Sequence, residues 1–201
     1  MCCYAVWAAP IIVTKPTVLL LDCSTKDRCL VQNEHKDCGR VQANYFDAIC
    51  PKEHRWKNSE EIKSNLPEQM CGESFYPILQ QDDISYGSTF QVLRHSWHSS
   101  EEALITWEVN SNLLHDFNQM PLHPVIIDGA FQAAGAFLRD PGAIFVPFSL
   151  SELTLLRTLT PKGWLHLKMG KGKSRFDIDI YDCYSQLAVE IHDYRLRKIF
   201  Y

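Results

Sequence analysis

The chain has 201 residues, 46% of them hydrophobic and 22% charged, with a formal net charge of −4. This is enough for one domain, or two small fused halves, with a real buried core, and the composition is that of an ordinary soluble globular protein. Lys and Arg are scattered and are densest at KGKSR (171–175), so a basic face for nucleic acid is excluded.

The opening stretch, MCCYAVWAAPIIVTKPTVLLL, is apolar but lacks a positively charged leader, and Pro10, Lys15 and Pro16 interrupt it. It reads as strand material rather than a signal peptide or a membrane span, and a start inside a strand suggests that more chain belongs upstream. Cysteines stand at 2, 3, 23, 29, 38, 50, 71 and 183 without framework spacing. They read as free thiols in a reducing compartment, which gives a cytoplasmic expectation. Cys50, His54 and Cys71 could be imagined around a metal, but no CxxC pair supports them and none is expected.

In chain order, residues 11–22, 27–33 and 39–48 read as strands, the last two joined by the polar NEHKDCG. The charged, proline-bracketed stretch CPKEHRWKNSEEIKSNLPEQ reads as a linker. The expected division is 1–50, 51–72 (linker) and 73–201. Residues 72–81 can form a short helix, and 89–97, 102–110 and 144–157 read as strands. Between the last two, LHPVIIDGAFQAAG opens a helix at Pro124 that runs to about Leu138 and stops at RDPG. It is apolar nearly all round, which predicts burial. The alternating WLHLKM, RFDIDIYD and QLAVEIHDYRLR complete the sheet, with DCYSQ turning the final hairpin. The expected class is α+β: a long antiparallel sheet around one buried helix.

That helix contains a single acid. Asp128 and Gln132 are four residues apart and share a face, so Gln132 can hold the carboxyl while the surrounding Ile and Phe residues raise its pKa. A neutral carboxylic acid in an apolar site suits general-acid work; a buried acid with a purely structural role is the alternative. His123 reads as a cap-side residue that orients the helix entry, with a base role as its alternative. In SYGSTF, Tyr86 and Gly87 fit a turn, with Gly87 free to take positive φ. No serine elbow, phosphate loop or dinucleotide fingerprint is present.

HPVIID followed by AFQ resembles the second active-site motif of polyketide synthase dehydratase domains, HPxxxDxxxQ/H. FYPILQQDDISYGSTFQVLRHSWHSSEEALITWEV resembles the family's segment around YGPxFQ, IFVPFSLSELTLL its PFSW-type strand, and DIDIYDCYSQLAVEIHDYRLRKI its closing hairpin. The match covers about residues 73–199 and extends more weakly upstream.

The resemblance implies a double hotdog fold, the second hotdog complete and the first represented by late strands. It implies dehydration of a β-hydroxyacyl chain held as a thioester on the phosphopantetheine of an acyl carrier protein, with no other cofactor. Asp128 would protonate the departing hydroxyl and Gln132 would steady it. Tyr86, Gly87 and Phe90 would border the acyl tunnel, with Pro147 and Phe148 beside it. Neighbouring synthase domains and a homodimer are the further partners it implies; a membrane is not among them.

Two features depart from the family pattern. YGP is YGS here, with Ser88, and the HxxxGxxxxP motif that carries the catalytic His and a carbonyl-polarising Gly amide is not found. His35 and Gly39 give HxxxG, but Asn44 stands in the proline position and the stretch reads as a later strand. Loss of a general base costs about 10²–10⁴-fold and of an oxyanion donor about 10²–10³-fold. The isolated chain is therefore expected to dehydrate little. A non-catalytic remnant or docking module, and a related cyclase or isomerase, stand as alternatives.

Overall fold

The computed structural model describes residues 2–7, 19–25, 28–33, 36–44, 57–79, 85–138, 143–172 and 174–199, the segments before residue 45 as strands only. Among the described residues, eleven strands form one sheet: β1 (Cys2–Trp7), β2 (Leu19–Thr25), β3 (Arg28–Asn33), β4 (Lys36–Asn44), β5 (Glu68–Cys71), β6 (Leu93–His98), β7 (Glu102–Glu108), β8 (Ile144–Leu155), β9 (Lys162–Met169), β10 (Arg175–Asp182) and β11 (Leu187–Ile199). Their order is β2-β3-β4-β1-β8-β11-β10-β9-β7-β6-β5. The pairings are antiparallel, and β1 joins the early strands to the rest by pairing with both β4 and β8. The α+β expectation holds. The HxxxG stretch has Gly39 inside β4, a strand rather than a helix entry; His35 lies outside the described residues, as do 11–18 and 45–48 of the expected strands.

Among the described residues, three α-helices accompany the sheet: α1 (Ser59–Ser64), α2 (Gly72–Leu79) and α3 (Pro124–Phe137). Alternation builds the core beneath α3. Phe176, Ile178 and Ile180 of β10 are buried, as are Leu165 and Leu167 of β9, because a strand sends every second side chain to one face. Val125, Ile126, Ala130, Ala133 and Ala134 of α3 pack onto this layer. The small alanines let the helix approach closely. At Gly129 any Cβ would stand 2.7 Å from Val92 Cγ2, so glycine is needed for the same reason.

Two expectations change. The presumed linker is folded structure from Lys57 onward. Asn58 caps α1 by accepting from the Glu60 amide at 3.1 Å, and β5 pairs with β6 at the sheet edge. Ile62 and Leu66, four apart, cover Leu104, Trp164, Tyr181 and Leu187 on the outer face of the sheet, and Lys57 reaches Asp179 at 3.1 Å. The charges face solvent and hide this short apolar repeat. In addition, α3 is not buried all round: Ile127, Asp128 and Phe131 are only half-buried. Strand β6 also starts later than expected, because Ser88–Phe90 forms a 3-10 turn.

Candidate active site

Helix α3 begins as its sequence dictates. Pro124 occupies the first helical turn, and His123 is the N-cap in extended conformation (φ −65°, ψ 123°). The His123 side chain does not cap the helix. It is buried, stacks on Phe117 with ring centroids 4.5 Å apart, and lies 4.0 Å from Asp116 Oδ2. Burial pushes its pKa down, and Asp116 opposes this. At the helix entry it packs against Phe117.

One turn into α3, Asp128 is half-buried. Gln132 Nε2 donates to Asp128 Oδ2 at 2.6 Å and to the Phe90 carbonyl at 3.2 Å. The amide thus ties α3 to the 85–90 turn. Burial pushes the Asp128 carboxyl above its usual range, and the bond from Gln132 pulls it partly back. Among the described residues, no histidine is among the groups that shift it.

The 85–90 turn is held by backbone-directed bonds. Gln91 Nε2 donates to the Tyr86 carbonyl at 2.8 Å and Asn110 Nδ2 to the Ser88 carbonyl at 2.8 Å. Tyr76 of α2 supplies a third tie: its hydroxyl accepts from the Leu93 amide at 2.9 Å and donates to the Phe90 carbonyl at 3.5 Å. The Tyr76 and Tyr86 rings meet edge to face at 6.4 Å. Burial, then the charge of Asp128, pushes the Tyr86 phenol up to about 12. Tyr194 of β11, fully buried and stacked on Phe131 at 4.4 Å, is raised well above its ordinary value, first by burial and then by Asp128. Three phenols, Tyr76, Tyr86 and Tyr194, thus feel the charge of Asp128 and have raised pKa values.

The structure brings together Asp128, Gln132, Tyr86 and Phe90, the last through its carbonyl rather than its exposed ring. Gly87 does not take the positive φ expected of it. It is extended (φ −66°, ψ 158°), its carbonyl accepts from the Phe90 amide at 2.9 Å, and a Cβ there would touch nothing within 4 Å. Pro147 is exposed, and the described contacts tie Phe148 to Arg197, whose guanidinium lies 3.6 Å from the ring centroid, rather than to Asp128. Cys71 is exposed at the end of β5, while Cys50 and His54 lie outside the described residues. Sequence reasoning missed Tyr76 and Tyr194. The change of phase in QLAVEIHDYRLR, where Ile191 and Tyr194 are an odd distance apart, was a visible sign of the latter.

Further along α3, Ala133, Ala136 and Phe137 line a cavity of about 290 Å³ that Phe75 and Ile78 of α2 also border. Glu68 and His98, paired at 3.1 Å, stand among its polar lining.

The family model described as "Polyketide synthase dehydratase N-terminal domain" matches residues 57–199. The chain belongs to the polyketide synthase dehydratase family. Polyketide synthase PksN of Bacillus subtilis is 29% identical over 133 residues, 64% of this chain and 2% of that protein. GfsE of Streptomyces halstedii is 29% identical over 90 residues, 43% of this chain and 2% of that protein. The chain thus spans a small fraction of the synthases it matches. Among solved structures, the dehydratase domain from the CurF module of curacin polyketide synthase superposes with a TM-score of 0.81 at 14% identity, covering 98% of this chain and 76% of that one. A trans-AT polyketide synthase dehydratase domain from Brevibacillus brevis gives 0.78 at 17%, with 98% and 76% covered. The dehydratase hotdog fold expected from the motifs is the fold observed. Among the described residues, no helix is long and apolar enough to cross a membrane.

Proposed function

We propose that this dehydratase-family chain contributes the proton-donating half of a dehydration site acting on a β-hydroxyacyl thioester carried by an acyl carrier protein. The observation that carries the reading is the Asp128–Gln132 pair: a half-buried carboxyl, raised by burial, with one oxygen fixed at 2.6 Å by an amide. Fixing Oδ2 leaves Oδ1 to present the proton. The proton passes to the β-hydroxyl as the carbon–oxygen bond breaks; the bonding pair leaves with water, and the electrons of the α-carbon–hydrogen bond form the alkene. The α-proton goes to a base, and His123, buried against Phe117, is poorly placed to serve.

The cavity of about 290 Å³ beside α3 has an apolar wall of Phe75, Ile78 and Phe137 opposite polar residues such as Glu68 and His98; it is slightly smaller than the roughly 300–1,000 Å³ common for ligand sites, and its apolar wall suits part of an aliphatic chain. The carrier protein, the neighbouring synthase domains and a homodimer remain part of this proposal, as does a cytoplasmic setting. The test is to load the complete gene product's carrier protein with a 3-hydroxyacyl chain and follow its intact mass. Loss of one water supports the reading; a hydroxyacyl chain left intact by the complete product refutes it.

A further inference from the structure

Strand β11 changes phase between Ile191 and Tyr194. Ile191 and Tyr194 are both fully buried, yet they are three residues apart, a separation that a regular strand sends to opposite faces. The pairing shows how this is done. Phe176 lies opposite Tyr194 and Ile178 opposite Ile191, so two steps along β10 match three along β11. This is a β-bulge, a device that redirects the side chains beyond it.

Asp193 in the bulge has φ 51°, in the left-handed region that side-chain-bearing residues rarely adopt. Both strands hold it there. Arg175 Nε donates to Asp193 Oδ1 at 2.6 Å, Arg195 Nη2 donates to Oδ2 at 2.6 Å, and the Asp193 amide donates to Asp177 Oδ1 at 2.9 Å. Without the extra residue, Asp193 rather than Tyr194 would point inward.

Among the described residues, the phenol so directed has no hydrogen-bond partner for its buried hydroxyl, an unfavourable arrangement for folding alone. Its ring stacks on Phe131, with 9° between the planes. Phe131 lies three residues after Asp128 on α3, and residues so spaced are neighbours on a helix surface. The ionised Asp128 carboxylate acts on the Tyr194 hydroxyl.

We propose that Tyr194 is a substrate-binding residue of the Asp128 site, its hydroxyl donating a hydrogen bond to the β-oxygen of the 3-hydroxyacyl chain. This rests on the dehydratase reading. The phenol neither gains nor loses its proton; it orients the oxygen that Asp128 protonates and stabilises the charge gathering there. The bulge and its arginine pairs exist to aim it.

The test uses Tyr194→Phe, which keeps the stacked ring and removes only the hydroxyl. In an Asp128→Asn background, where turnover is suppressed, binding of two pantetheine thioesters of equal length is measured, one 3-hydroxyacyl and one saturated. The expected result is a loss of about 10- to 100-fold for the hydroxylated probe, the range for one hydrogen bond. Affinity for the saturated probe stays unchanged, and the melting temperature is equal or higher. Equal loss for both probes, no loss for either, no binding of either to the parent, or a lowered melting temperature would overturn the proposal. Failure of the gene product to dehydrate its own carrier-bound chain is a separate result. It removes the dehydratase reading, while the selectivity between probes still reports on the phenol.

Discussion

Gln132 holds Asp128 and the Phe90 carbonyl with one amide nitrogen, at 2.6 and 3.2 Å. The helix that carries the acid is thereby locked to the turn that carries Tyr86. Gln132→Ala removes both bonds and leaves a half-buried carboxyl without its donor. Leaving buried polar groups unpaired costs about 1–3 kcal/mol, and urea unfolding should show a loss of that order. The Asp128 pKa should also rise, because the bond that lowered it has gone. An unchanged midpoint would mean that the pair contributes nothing to the fold.

Asp128 should make stability depend on pH in a direction opposite to that of a salt-bridged acid. Its folded pKa is raised above 3.8, so between that value and its folded pKa the native state keeps a proton that the unfolded chain has lost. Its favourable contribution is complete below the unfolded pKa and is lost as pH rises through the folded pKa. The phenols that feel its charge, Tyr76, Tyr86 and Tyr194, have raised pKa values and stay neutral throughout this window. Asp128→Asn should therefore melt higher than the parent at neutral pH, with the gap closing in acid. A gap independent of pH would show that burial does not perturb the carboxyl.

The glycines separate packing from backbone strain. Gly129→Ala places a methyl 2.7 Å from Val92 Cγ2, and overpacking of this kind costs about 1–3 kcal/mol. Gly87→Ala has open space and an extended backbone, so its effect should stay within about 0.5 kcal/mol. Chemical denaturation of the two variants distinguishes them; a large loss at Gly87 would contradict the observed turn.

Leu66 tests whether the segment before β5 is integral to the fold. It is 5% exposed, and truncating a buried leucine costs about 2–5 kcal/mol. Leu66→Ala should lower the unfolding midpoint accordingly, whereas a leucine in a linker could be truncated without effect.

Much of the site was legible because its signals are local. Proline at the helix start and the i, i+4 spacing of Asp128 and Gln132 require no knowledge of the rest of the chain, and the ordered motifs around them gave the hotdog fold. What was hidden depends on tertiary context. Ile62 and Leu66 sit among charges, and only the sheet they cover reveals α1 as packed structure. Tyr194 points inward because a bulge reverses the strand's phase, and Gly87 is extended because its neighbours hold the turn through their side chains. Phe148 found Arg197 across a strand pair whose register slips between Arg195 and Leu196, a contact that sequence spacing does not encode.

The account rests on Asp128 as the proton donor. Its most direct test is the single-turnover rate of water loss from a 3-hydroxyacyl chain on the carrier protein, compared between the parent gene product and Asp128→Asn. The amide keeps the shape and the bond from Gln132 but cannot give up a proton, so the rate should fall by about 10²–10⁴-fold, the usual contribution of a general acid, with the fold intact. A variant that dehydrates at the parental rate would contradict the account.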